Sequence, residues 1–146
     1  MGGALYRNMN KKANTCGKVF DKMDGLCVWL LAYMPNCPVK YRKMLWEPLM
    51  HYVDQAQACS EMAYLETDPA EKFVLIKDAR KYFRMFKRYQ YRCDITGEFK
   101  WGKVMSLDMV EYIQDIEEEL GRWFASQKKM LLVGNGAAAA SPEHRV

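Results

Sequence analysis

The chain is 146 residues long, enough for one domain or for one domain with tails. Half of it is apolar, with six Phe, nine Tyr and four Trp, which excludes wholesale disorder and leaves ample material for a core. The formal net charge of +4 hides an uneven distribution. The stretch 77–92 is strongly basic, whereas 108–119 carries Asp108, Glu111, Asp115, Glu117, Glu118 and Glu119 with no cation. That asymmetry points to an anionic partner for one surface.

Residues 1–14 are polar, with Arg7, Lys11 and Lys12, and read as an arm. A first helix is expected from Asn14 or Thr15, with Cys16, Val19, Phe20, Met23, Cys27, Leu30, Leu31 and Met34 as its buried stripe. Pro35 should end it, because the residue before a proline is pushed out of helical geometry. Pro38 then suits the first turn of a second helix running to about Glu66. Tyr41, Leu45, Leu49, Tyr52, Val53, Ala56, Cys59 and Ala63 would line its inner face. Pro48 interrupts it and predicts a kink at 44–48. Lys40, Arg42 and Lys43 stand at its N-terminal end, where cations oppose the helix dipole, and hint at an external anion.

Residues 68–92 form the clearest element. Asp68, Pro69 and Glu71 read as an N-cap, a first-turn proline and a capping-box acid. Leu75, Ile76, Ala79, Tyr82, Phe83, Phe86, Tyr89 and Cys93 share one face. Lys77, Arg80, Lys81, Arg84, Lys87, Arg88 and Arg92 share the opposite one, against a single acid, Asp78. Like charges four residues apart repel, so this stripe calls for compensation from outside the helix. An ordinary solvated face and a polyanion-binding face both remain open. Tyr82, Tyr89, Tyr91, Phe99 and Trp101 nearby could stack unpaired bases.

The connection 93–105 is expected to hold a turn at 94–97, with a short hairpin as the other option. Ser106 would cap a fourth helix with Val110, Ile113, Ile116, Leu120, Trp123 and Phe124 inside. Past Gln127 the periodicity fades, and 128–146 reads as a flexible low-complexity tail. The division is thus arm 1–14, bundle 15–127 and tail 128–146. The fold class is all-α, an antiparallel up-down-up-down four-helix bundle.

No nucleophile, metalloprotease or phosphate-loop motif occurs, so no catalytic residue, metal ligand or cofactor is expected. His51 reads as a structural histidine. The Glu117-Glu118-Glu119 run does not suit a metal site, because consecutive helical positions diverge by about 100°. Cys16, Cys27, Cys37, Cys59 and Cys93 are scattered, as packing residues of a reducing cytoplasm would be. No signal or membrane span is apparent, and the longest apolar run, 26–34, is too short for either.

The order of features resembles a known family. The resemblance covers about 18–126. It rests on the apolar first helix leading into Cys37-Pro38-Val39-Lys40-Tyr41-Arg42, the long second helix, and Leu75…Ala79-Arg80…Phe83-Arg84. It closes with Met105-Ser106-Leu107 and Ile116-Glu117-Glu118-Glu119-Leu120-Gly121-Arg122-Trp123. The chain is similar to the accessory variability determinant (Avd) proteins of diversity-generating retroelements, which are related to four-helix proteins encoded in ribosomal RNA intervening sequences. Pro48 and the long 93–105 connection depart from that pattern. The resemblance implies a non-enzymatic cytoplasmic protein, assembled as a ring-like homopentamer. It would bind the reverse transcriptase and template RNA and support mutagenic cDNA synthesis. Lys77, Arg80, Lys81, Arg84, Lys87, Arg88 and Arg92 would then face RNA or polymerase, with Lys40, Arg42 and Lys43 as secondary candidates. Asp115, Glu118 or Glu119 would pair with cations of a neighbouring copy. The other option is a structural self-assembling bundle with no nucleic-acid role.

Overall fold

The computed structural model of the protein describes residues 18–96 and 107–140, with side chains at 18–96 and 109–134. Four long helices make up the described fold: α1 (Val19–Tyr33), α2 (Glu47–Leu65), α3 (Pro69–Ile95) and α4 (Leu107–Ala140). No strand occurs among the described residues. The arm 1–14, Phe99, Trp101 and the Ser106 cap lie outside them. Among the described residues, no helix is long and apolar enough to cross a membrane.

The local signals act where the chain places them. Pro35 sits in a 3₁₀ turn, Met34–Asn36, that stops α1. The chain then makes one α-helical turn, Val39–Tyr41, and one π-helical turn, Arg42–Trp46, before α2. Pro48 falls in the first turn of α2. A proline has no N–H to give and its ring crowds the carbonyl four residues back. The widened π turn accommodates both defects, so the expected kink takes the form of a π-bulge. At the start of α3, Asp68 accepts a hydrogen bond from the Glu71 amide at 3.0 Å. The reciprocal half of the capping box goes to a different acid, since the Asp68 amide donates to Glu66 Oε1 at 3.0 Å.

The helices enclose one core. Met23, Leu26 and Leu30 of α1 meet Leu49, Val53 and Ala56 of α2, Ala79, Phe83 and Phe86 of α3, and Ile113, Ile116 and Leu120 of α4. The α2–α3 pairing is the most extensive. Small residues at Ala56, Ser60, Ala63 and Ala79, all fully buried, let helix backbones come close. The Ser60 hydroxyl donates to the Ala56 carbonyl at 2.7 Å, one turn back along α2, which satisfies it inside the core.

Four parts of the sequence reading are corrected. The buried face of α1 is rotated toward Leu26, Trp29 and Tyr33, while Leu31 and Met34 are 55% and 38% exposed. This helix is apolar almost all round, so periodicity cannot choose a face. Burying two large rings decides it. In α4, Met109 and Tyr112 are buried and Val110 is exposed. Asp94 and Ile95 of the expected 94–97 turn belong to α3 instead. Beyond Gln127, α4 continues as a helix to Ala140, although Met130, Leu132 and Val133 are at least 60% exposed.

Candidate nucleic-acid interface

The basic face of α3 looks out between α3 and α4 over a groove of about 840 Å³, lined by Lys77, Asp78, Arg80, Lys81, Arg84, Met85, Arg88 and Phe124. Five of the seven stripe cations therefore converge on one surface. Lys77, Lys81, Arg84 and Arg88 advance by four, three and four residues, so they stand in one nearly straight row. From Lys77 to Arg88 the row spans about 16 Å at 1.5 Å per residue. Among the described residues, Lys77, Arg84 and Arg88 form no ion pair, and Lys81 only grazes Asp78 at 4.0 Å. Met85 and Phe124 give the groove an apolar side. Arg80 lies with its guanidinium 4.5 Å above the Phe124 ring, and Phe124 stacks in turn on Phe73 at 5.1 Å.

The remaining candidates are placed elsewhere. Lys87 turns toward α4 and pairs with Glu117 at 2.8 Å. Arg92 covers the Tyr89 ring at 4.7 Å. Lys40, Arg42 and Lys43 stand on the lead-in to α2, and none of them lines the groove. Arg42 has a structural task, donating from Nε to the Cys37 carbonyl at 3.3 Å. Lys40 sits over Tyr41, and Lys43 is exposed.

Two of the expected stacking rings are already in use. Tyr52 stacks on Tyr82 at 6.4 Å and on Tyr89 at 5.6 Å, which draws both into the bundle. Tyr91 alone of the three stripe tyrosines stays open, at 62% exposure. Phe124 belongs to the site, yet spacing on α4 had assigned it to the core. Its position four residues after Leu120 and one after Trp123 put it at the edge of the apolar stripe, which is the one signal that could have raised it.

The acidic side resolves differently from the expectation of contacts between copies. Lys22, almost buried on α1, donates to Asp115 at 2.8 Å and to Glu119 at 2.7 Å within the same chain. Burial alone would push the Lys22 ammonium down. The hydrogen bonds it donates to Asp115 and Glu119, and their charge, outweigh that, and its pKa ends above the ordinary value of 10.5. Tyr112 locks the same spot by donating to the Lys22 carbonyl at 2.7 Å. Glu118 accepts instead from Gln114 at 3.2 Å. The three consecutive glutamates thus face three different partners, as helical geometry requires.

Among the described residues, no group of three or more His, Cys, Asp or Glu side chains could hold a metal ion. His51 is exposed, with its ring against Tyr52. Burial, with smaller contributions from Asp54 and Asp24, pushes the Cys27 thiol up to about 12. Burial and the neighbouring Cys37 do the same to Cys93. Such thiols stay protonated and act as small apolar fillers. Compared with known proteins, the chain matches no family model, no curated protein and no solved structure.

Proposed function

We propose that the protein is a non-enzymatic accessory factor of a diversity-generating retroelement, an Avd-like bundle that binds template RNA along α3 and engages the reverse transcriptase during mutagenic cDNA synthesis. The observation that carries this reading is the row Lys77, Lys81, Arg84 and Arg88, a line of cations beside an apolar groove wall whose one ion pair among the described residues is Lys81 with Asp78 at 4.0 Å. Phosphates supply the missing counter-charge, and their binding releases condensed cations into solution. In this reading the helices run up-down-up-down, five copies close a ring in the cytoplasm, and Lys40, Arg42 and Lys43 form a second contact area.

The test is charge reversal on the basic face of α3. Replacing Arg80, Arg84 and Arg88 together by Glu is expected to abolish association with RNA in an electrophoretic shift or anisotropy assay while leaving helical circular dichroism intact. Unchanged binding across a range of salt concentrations would reject the reading.

A structural, self-assembling bundle is the second reading. It draws on the exposed apolar side chains Val28 and Leu31 of α1 and Met62 and Leu65 of α2, which are 45 to 71% exposed. It expects oligomers without RNA affinity. Light scattering with and without RNA separates the two.

A further inference from the structure

We infer that the α3–α4 groove takes unpaired RNA, a single strand of about four nucleotides whose phosphates sit on the Lys77–Lys81–Arg84–Arg88 row and one of whose bases stacks on the Arg80 guanidinium. This rests on the proposed RNA-binding role and adds which form of RNA the site accepts.

Spacing gives the first reason. The rungs of the row are about 4.5 to 6 Å apart along one straight line. A stacked strand advances about 3.4 Å per nucleotide and winds its phosphates around the helix axis, so a straight row touches few of them. A strand with unstacked bases stretches to the longer step and lies along the row. Once unstacked, its bases need a surface.

The groove wall gives the second reason. The Arg80 guanidinium carbon lies 4.5 Å from the Phe124 ring centre, and Phe124 stacks on Phe73, so two packed rings back the cation at the groove wall. Guanidinium planes and aromatic faces are the usual platforms for splayed bases. Met85 adds an apolar, adaptable chain to the lining of the same groove. A base-paired duplex offers its phosphates but no free base face to this wall. At about 840 Å³ the groove has room for a nucleobase beside the cation row.

The experiment compares octauridylate with a blunt duplex RNA of matched length, by fluorescence anisotropy on the full chain. Octauridylate is expected to bind about tenfold more tightly, the fold-change that one stacked base confers. The plot of log affinity against log salt is expected to have a slope of about −2.8, for four phosphate contacts on a single strand. Arg80→Lys keeps the charge but removes the flat platform, and is expected to erase the tenfold preference without changing that slope. Arg84→Gln is expected to reduce the slope by about 0.7 and to leave the preference in place.

Duplex binding that equals or exceeds that of octauridylate overturns the inference and leaves the RNA-binding role standing. An unaltered preference in Arg80→Lys also overturns it, as does inorganic polyphosphate competing as well as octauridylate. If neither RNA binds the unaltered protein, the proposed function falls and the inference with it. Circular dichroism on both variants confirms that a loss is not one of folding.

Discussion

Lys22 and the α3 row use the same kind of side chain to opposite ends. Lys22 points inward from α1, its side chain only 11% exposed, and holds Asp115 and Glu119 of α4. Among the described residues, the row on α3 has one ion pair, between Lys81 and Asp78 at 4.0 Å. The first set of charges closes the bundle, and the second holds no other helix. Lys87 stands between the two cases: it belongs to the stripe by spacing, yet is spent on Glu117 across a half-exposed contact. A lysine's role therefore follows from what its helix is packed against, since a partner within about 4 Å decides whether its charge is used internally.

The largest effect should come from breaking the inward set. Lys22→Met leaves Asp115 and Glu119 without their cation, and removing one partner of a poorly hydrated ion pair is costly. Asp115 is about half exposed, which moderates the loss, so about 2 kcal/mol is expected, read as a melting temperature lower by about 8 °C. The pH dependence sharpens the same point. The Lys22 pKa is raised in the folded protein, so its contribution is complete below the ordinary value of 10.5 and is lost as pH rises through the raised one. The stability gap between the unaltered protein and Lys22→Met should therefore stay constant at neutral pH and close on the alkaline side, in thermal melts at stepped pH. A gap that narrows within the neutral range would break the comparison.

The intermediate case should give an intermediate result. Lys87→Ala removes one half-exposed ion pair and is expected to cost about 0.5 kcal/mol in a chemical denaturation curve, with the difference shrinking at high salt. The outward row should give the smallest effect, and of opposite sign. Arg84→Gln relieves repulsion from Arg80 and Arg88 and is expected to raise stability by a few tenths of a kcal/mol at low salt. If Arg84→Gln destabilised the fold as much as Lys22→Met, the row would be structural and the contrast would fail.

Much of the fold was legible before any coordinates. The Asp68 cap with Pro69 fixed where α3 begins, and Pro35 and Pro48 marked the stop of α1 and the disturbance before α2. These features act through neighbours within one helical turn, so spacing alone reveals them. The basic stripe was legible for the same reason. Its division into a groove-facing row, an ion-paired Lys87 and an Arg92 resting on Tyr89 was not. Nor was Trp46, fully buried beside Tyr33, which the expected face of the second helix left out.

The sequence by itself determined four helices, the stop of α1, the start of α3, and a line of charge that the one acid along the helix, Asp78, offsets only at Lys81. Tertiary structure alone decided which charges remain available, because their partners are remote. Lys22 meets Glu119 across 97 positions of chain. Phe124 reaches Arg80 only because α4 lies against α3, and Tyr52 takes Tyr82 and Tyr89 out of the exposed set in the same way. Periodicity reports the direction a side chain takes from its own helix; packing supplies what it finds there.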